Sequence, residues 1–399
     1  MKLHVTLSGD VFLKSRRTQV RLVKRVSANL AAALVTIGHS GESRRIAGHR
    51  FEVETQGIDP GEIAAVASRL FGVAGVEHVT EIDARDLDTL VTAVAKMAGP
   101  AVTGKTFAVR PKRSGNHTWR SRDLAIRLGD RLRQAGGRVD LTNPEITVKV
   151  TVIDDLAFLV SDRVEGVGGL PIGTQEPVLC LISGGFDSVV AAWMMMSRGC
   201  DVEFVHFTLN CAQSDHAMAV ARELWIRWGY GMDPTVHLVE FQPVKEALLA
   251  SVDSRMRQIT LKVLMAKAAD AIASERRIQA LVTGDALGQV SSQTLPHLVA
   301  VSKAIETPML RPLVGLPKET IIDLARMVGT AEMSARAREV CDLSEGGPVA
   351  TAARAFAIAA SLQDVPDVLM NDAVATRKSF LLRDWVPGSM TTAESSSLP

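Results

Sequence analysis

The apolar run Leu179-Cys180-Leu181-Ile182 ends in Ser183-Gly184-Gly185-Phe186-Asp187-Ser188 and passes at once into Val189-Val190-Ala191-Ala192-Trp193-Met194-Met195-Met196. That change of pattern predicts a strand turning sharply into a buried helix. Two glycines let the backbone approach an anion, the serine hydroxyls and free N–H groups face inward, and the positive end of the helix dipole favours negative charge. The stretch therefore reads as a phosphate cradle. It is not a Walker A loop, because no Gly-Lys-Ser/Thr follows. Met194 to Met196 are read as core filling, not as metal ligands.

What surrounds this turn has one rhythm. Strands are predicted at 178–182, 202–208, 236–241 and 280–282, alternating with helices from Asp187, over 215–228, over 254–274 and over 318–328. Such alternation implies a parallel sheet with helices on both faces and a ligand at the carboxyl ends of its strands. The strand ending at Val282 opens into Thr283-Gly284-Asp285-Ala286-Leu287-Gly288-Gln289-Val290-Ser291-Ser292-Gln293-Thr294-Leu295, too polar for core and well suited to a ligand. Leu310-Arg311-Pro312-Leu313 then leads to Pro317-Lys318. A lysine in the first turn of a helix is electrostatically unfavourable unless it faces an anion, which makes Lys318 a candidate phosphate contact.

The front of the chain reads differently. Residues 1 to 80 follow a βαββαβ order that suits a small ferredoxin-like domain. Arg16 and Arg17 open its long helix, where the dipole alone would prefer acids. Residues 81 to 172 look like a second α/β unit. Its strand at 106–110 is expected to deliver Arg110, Lys112, Arg113 and His117, with Lys105 just ahead, into one loop that could meet adjacent phosphates. The glycine-rich stretch 164–173 reads as a linker to the second half.

Charge separates the halves. Residues 1 to 172 hold 25 Lys and Arg against 19 Asp and Glu, and the remainder 20 against 25, although the whole chain nets only +1. Of the two, the front half is therefore the one expected to meet nucleic acid, although a solvated basic face would carry the same charge. Aromatic residues are 4% of the chain, so RNA recognition would lean on basic side chains and shape more than on stacking. The four cysteines, Cys180, Cys200, Cys211 and Cys341, have no zinc-ligand spacing. There is no signal-peptide layout, and no apolar run nears the roughly 18 residues of a membrane span. A cytoplasmic location is the expectation.

With these motifs in order, the turn resembles the PP-loop of ATP pyrophosphatases and the 105–119 stretch resembles a THUMP domain, an RNA-binding module of tRNA-modifying enzymes. Together with Thr-Gly-Asp-Ala-Leu-Gly-Gln-Val-Ser-Ser-Gln-Thr-Leu and Leu-Arg-Pro-Leu, they resemble the tRNA 4-thiouridine sulfurtransferase family over residues 1 to 345. The resemblance implies an α/β chain with a ferredoxin-like domain (1–80) and a THUMP domain (81–172). A parallel-sheet adenylation domain of adenine nucleotide alpha hydrolase type (173–388) and a disordered tail (389–399) would follow.

It implies a reaction in which ATP adenylates uridine 8 of tRNA and sulfur then replaces O4. Ser183, Gly184, Gly185, Phe186, Asp187, Ser188, His206, Phe207, Gly284 and Gln289 would bind ATP, with Asp187 also holding Mg²⁺. Thr283, Ser291 and Ser292 would shape the pocket for nucleotide and target base. Asp187, Lys318 and Cys341 would be catalytic, Cys341 handling persulfide sulfur from a cysteine desulfurase. Arg16, Arg17, Lys105, Arg110, Lys112, Arg113 and His117 would bind tRNA.

Three departures from the family pattern stand out. There is no room for a C-terminal rhodanese domain, the segment after Cys341 follows the pattern loosely, and Asp285 stands where Glu is common. Cys211 is the candidate resolving thiol. A homodimer is among the expectations, and a role in thiazole synthesis is left open. The competing readings are a PP-loop enzyme with another substrate and an RNA-binding protein whose sulfur transfer has lapsed. The basic 105–117 stretch disfavours the first, and intact Asp187 and Lys318 disfavour the second.

Overall fold

The computed structural model describes residues 1–46, 49–209, 211–337, 343 and 349–388, without the side chains of 211–213. The chain divides into two compact units, Met1–Gly169 and Leu170–Pro399.

The first unit runs β1 (Lys2–Leu7), α1 (Gly9–Phe12), α2 (Arg16–Val35), β2 (Arg44–Ile46), β3 (Arg50–Glu54), α3 (Pro60–Ser68) and β4 (Val73–Asp83). It continues with α4 (Leu87–Val102), β5 (Thr106–Ser114), α5 (Ser121–Gln134), β6 (Arg138–Val139), β7 (Ile146–Ile153) and β8 (Leu156–Gly168). The first four strands lie in the order β2-β3-β1-β4, all antiparallel, which is the ferredoxin-like arrangement expected. β4 then pairs along its whole length with β8, so both α/β pieces share one eight-stranded sheet, β2-β3-β1-β4-β8-β7-β5-β6.

Alternation along the strands explains the packing. Leu3, Val5 and Leu7 of β1 are buried, as are Phe51 and Val53 of β3. In the second piece, α4 and α5 bury Leu90, Val94, Leu124, Leu128 and Leu132 against Phe107, Val148, Val150 and Leu159. On the opposite face of β1, His4 is also buried, edge-on to Phe158 at 4.4 Å and 3.5 Å from Glu52.

Two local expectations change. The strand predicted to stop at Arg110 continues to Ser114, straight through Pro111. β6 covers only Thr106 and Phe107, so beyond them β5 is an edge strand and the missing N–H of Pro111 faces no neighbour. The glycine-rich stretch is not a coil linker: β8 extends to Gly168 and β9 (Leu170–Leu181) follows directly.

After β9 the second unit runs α6 (Phe186–Ser197), β10 (Arg198–Thr208), α7 (Cys211–Trp228), β11 (Thr235–Glu240), α8 (Gln242–Ser251), α9 (Ser254–Arg276) and β12 (Leu281–Val282). A 3₁₀ turn at Ser291–Gln293 leads to α10 (Leu295–Lys303), β13 (Met309–Leu310), α11 (Lys318–Val328) and α12 (Ala331–Ser334). The described chain ends with α13 (Ala355–Gln363), α14 (Asp367–Ala375), β14 (Lys378–Leu381) and a second 3₁₀ turn. Five strands are parallel in the order β13-β12-β9-β10-β11, and β14 adds an antiparallel edge beside β11. Leu179, Val205, Val239 and Leu281 turn one sheet face toward Leu264, Ala268 and Ile272 of α9. Helices α6, α7 and α11 form a separate packed group.

Candidate active site

In this sheet β9 has its sequence neighbour β10 on one side and β12 on the other. The chain leaves the strand ends in opposite directions there, opening a crevice at the carboxyl edge where ligands of such sheets bind. β9 ends at Leu181, and the predicted turn closes over Ile182 to Gly185 before α6 begins at Phe186. Gly184 has φ +83°, the left-handed region that glycine tolerates, and a Cβ there would come within 2.9 Å of the His216 ring and 3.1 Å of Ala217 Cα. The Ser183 N–H donates to Ser188 Oγ at 3.2 Å, bracing the turn. No side chain caps α6, so the N–H groups of its first turn are open to an anion.

Two separate segments, the start of α11 and the loop after β12, converge on Asp187. Lys318 Nζ, at the start of α11, donates to both carboxylate oxygens at 2.8 and 2.9 Å. Gln289 Nε2 donates to Oδ2 at 2.9 Å. Gly284 lies so close behind that a Cβ would sit 2.5 Å from the Asp187 carbonyl carbon. Lys318 also lies 5.6 Å over the Phe186 ring, yet its side chain stays 40% exposed, so the ammonium can still reach a ligand.

One residue past Gly284, Asp285 accepts from Thr283 Oγ1 at 2.8 Å, Lys262 Nζ at 3.3 Å and Arg311 Nε at 3.4 Å. Burial pushes its carboxyl upward, but Lys262, Thr283 and Arg311 outweigh that and hold it below its ordinary value. Arg311 also donates to Ser302 Oγ and Leu298 O, tying α10 to the strand-end loop. Sequence reasoning quoted Arg311 only within a motif and missed Lys262. In Leu261-Lys262-Val263-Leu264 the lysine interrupts an apolar helix, and nothing local reveals that it reaches a carboxylate.

His206, at the end of β10, holds Ile182 O through Nδ1 at 2.8 Å, while its buried Nε2 has no partner among the described residues. Phe207 packs inside the core at 4.8 Å from Phe241, the two rings tilted by 60°. Gln289 Oε1, Ser292 Oγ and Gln293 Oε1 are likewise buried without a partner among the described residues. Buried polar atoms are normally paired, so these four are open to a polar ligand or an ordered water. Cys341 lies outside the described residues; Cys211 opens α7, its side chain outside them. Cys180 and Cys200 are buried, and burial raises both thiols, Cys200 to about 11.

Burial also lowers the basicity of His206, His4 and His297. In the fold these imidazoles take protons only at the lower pH that burial sets, whereas in the unfolded chain they take them around their ordinary 6.5. Stability is therefore complete above pH 6.5 and falls as pH drops from there toward the lower folded values, by about 1.4 kcal/mol per unit for each ring. Urea unfolding across this window should show that loss, and a flat profile would refute it.

The basic groups of the first unit do not meet in one loop. Arg16 and Arg17 are exposed in the first turn of α2. Arg110 and Lys112 lie on the exposed face of β5, with Lys149 of β7 directly opposite Arg110. Like charges across a strand pair repel unless an anion sits between them, so Lys149 joins the candidate set. Only the register reveals it. Arg113 is turned inward: it donates to His117 Nδ1 at 2.8 Å, and His117 Nε2 reaches Asp154 O at 2.7 Å. That pair braces the loop, while Lys105 stands exposed just before β5.

Residues 84–162 match the THUMP domain family, and residues 173–363 match the family described as thiamine biosynthesis protein (ThiI). The chain is 37% identical over 360 residues to a tRNA sulfurtransferase of Escherichia coli O139:H28, covering 89% of this chain and 74% of that one. The tRNA sulfurtransferase of Shigella boydii serotype 18 is 36% identical over the same length and shares. Among solved structures, a 4-thiouridine synthetase in complex with RNA and bound ATP superposes with a TM-score of 0.81 at 24% identity, over 96% of this chain and 99% of that one. A Pyrococcus horikoshii protein superposes with a TM-score of 0.59 at 21% identity, over 82% and 99%. By identity and coverage together, the chain belongs to the tRNA sulfurtransferase family.

Proposed function

We propose that this protein is an ATP-dependent tRNA sulfurtransferase that adenylates O4 of uridine 8 and replaces that oxygen with sulfur. The observation that carries the reading is the convergence of Lys318, Gln289 and Gly284 on Asp187 beside an uncapped helix N-terminus. Family membership supports it, as does the cationic strand face of the first unit.

The uncapped N–H groups and the Gly184–Gly185 turn would hold the ATP phosphates, with Lys318 as the mobile cation beside them. Among the described residues no three His, Cys, Asp or Glu side chains gather to hold a metal. Magnesium is often held by one or two carboxylates together with phosphate oxygens, and Asp187 in the first turn of α6 fits that demand. Bound there, Mg²⁺ would neutralise charge on the departing pyrophosphate.

The uridine O4 attacks the α-phosphorus as the bond to the β-phosphate breaks, so pyrophosphate leaves. The outer sulfur of a cysteine persulfide then bonds to C4 while the C4–O4 bond breaks, and O4 departs with AMP. A second thiol, for which Cys211 is the candidate, attacks the inner sulfur, so the S–S bond breaks, a disulfide forms and the outer sulfur stays on C4; excess thiol reduces the disulfide. We assign the sulfur-handling role to Cys341, with a cysteine desulfurase as the source of its persulfide. Among the described residues no helix is long and apolar enough to cross a membrane, and we place the reaction in the cytoplasm.

The test is purified protein with ATP, magnesium, tRNA transcript, desulfurase and cysteine, reading pyrophosphate and 4-thiouridine separately. Cys341→Ala should abolish the thiolated nucleoside and keep tRNA-dependent pyrophosphate release within about threefold. Pyrophosphate release that does not depend on tRNA would point to another acceptor and overturn the assignment.

A further inference from the structure

His297 lies in the first turn of α10 with its ring fully buried and both nitrogens engaged. Nδ1 is 3.0 Å from Ser291 O, and Nε2 receives the Ala353 N–H at 3.1 Å. A carbonyl only accepts and an N–H only donates, so these partners fix a neutral ring with its proton on Nδ1. Thr294 Oγ1 spans the same gap, donating to Thr351 O at 2.6 Å.

The near side of this gap is a closed loop. The Gly288 N–H donates to Gln293 O and the Gln293 N–H to Val290 O, both at 2.9 Å, and Gln289 from the same loop reaches Asp187. The far side is anchored elsewhere. The Ala350 N–H donates to Arg255 O on α9 at 3.0 Å, and Ile358 of α13 packs with Ile259 and Val263 of α9.

We propose that His297 is a positioning residue for the nucleotide: it clips the Gly288–Gln293 loop to the segment leading into α13 and so holds Gln289 against Asp187. The inference rests on the adenylation reading above. Without the clip the loop keeps its internal bonds, the Asp285–Lys262 tie and the Thr294–Thr351 tie, but Ser291 loses its anchor, and the Gln289 bond to Asp187, one of three that Asp187 accepts, is no longer held from behind.

The clip works only while the ring is neutral. A proton on Nε2 would face the Ala353 N–H and break that arm. Burial disfavours this protonation, and Lys262 on α9 adds to the effect. Asp285 sits between Lys262 and Arg311, and Arg311 reaches α10 itself at Leu298 and Ser302.

The experiment is calorimetric titration of the full chain with ATP from about pH 5.5 to 8, with a thermal melt of each protein. The wild type is compared with His297→Asn, His297→Gln and His297→Ala. Asparagine can replace only the Nδ1 arm, and glutamine, whose amide oxygen accepts without titrating, only the Nε2 arm. The dissociation constant for ATP should rise about threefold in each single-arm variant and about tenfold in the alanine variant. The glutamine variant should also lose part of the wild type's weakening at acid pH, since the titration of ATP itself is common to all four.

A purely structural role would lower the melting temperature and leave ATP affinity intact, which overturns the proposal. So would a glutamine variant with the wild-type pH profile. If the wild type binds no ATP, the adenylation reading falls and takes this one with it. If the wild type binds ATP and the alanine variant binds it equally well, only this inference falls.

Discussion

Lys318→Ala should reduce tRNA-dependent pyrophosphate release by about 10²- to 10³-fold while leaving the fold and tRNA affinity unchanged. Among the described residues Lys318 is the one cation bonded to Asp187, and its side chain remains 40% exposed, so it is placed both to orient that carboxylate and to meet negative charge as the phosphates separate. A lysine at the first position of a helix opposes the dipole, so alanine there should cost α11 nothing. That separates a chemical defect from a folding defect. Lys318→Arg should recover only part of the rate, since a planar fork cannot supply a compact point charge in the same place. Release within threefold of wild type in the alanine variant would remove Lys318 from the machinery. The tRNA-binding candidates all lie in the first unit, so filter binding of tRNA serves as the internal control.

Gly284→Ala is the second large effect, and its cause is purely steric. A Cβ at this position would lie 2.5 Å from the Asp187 carbonyl carbon, 2.6 Å from Ser188 N and 2.7 Å from Asp187 O. These are backbone atoms of a buried helix turn and cannot swing aside as a side-chain tip can. The loop after β12 must back away, which breaks the Gln289–Asp187 contact and opens the phosphate turn. Overpacking of this kind costs about 1–3 kcal/mol, lowering the melting temperature by several degrees, and ATP affinity should fall by about a hundredfold. Gly315→Ala is the matched control, because a Cβ there meets nothing within 4 Å. If both variants bound ATP like the wild type, the packing of Gly284 on α6 would have no functional weight.

What could be read from the sequence was what is local along the chain. Ser183 to Ser188 announce a strand, a turn and a helix in one continuous stretch, and Pro317-Lys318 announces a helix start with a misplaced cation; both stand where expected. The βαββαβ order was equally legible, because each element carries its own periodicity. What escaped depends on partners distant in sequence. Lys149 is unremarkable until the register sets it opposite Arg110. Lys262 looks like an exposed helix position until the loop after β12 brings Asp285 to it. Pro111 looks like the end of a strand until β6 proves too short to need its N–H. Arg113 and His117 look like two free cations until they are found bonded to one another. α13, α14 and β14 were not read at all, and the short segments that form them become elements only by packing against α9 and β11.

The shared sheet of the first unit carries one further consequence, for how this half of the protein comes apart. β4 and β8 are zipped from Val73–Gly168 to Asp83–Leu156, so the strand that closes the ferredoxin-like piece is also the floor on which the second piece is laid. A cut at residue 80 passes through the middle of β4 and bares the edge of β8. Exposed edges of that length recruit other chains. The two pieces therefore hold as one sheet: neither can be cut away or unfolded without baring a long strand edge of the other.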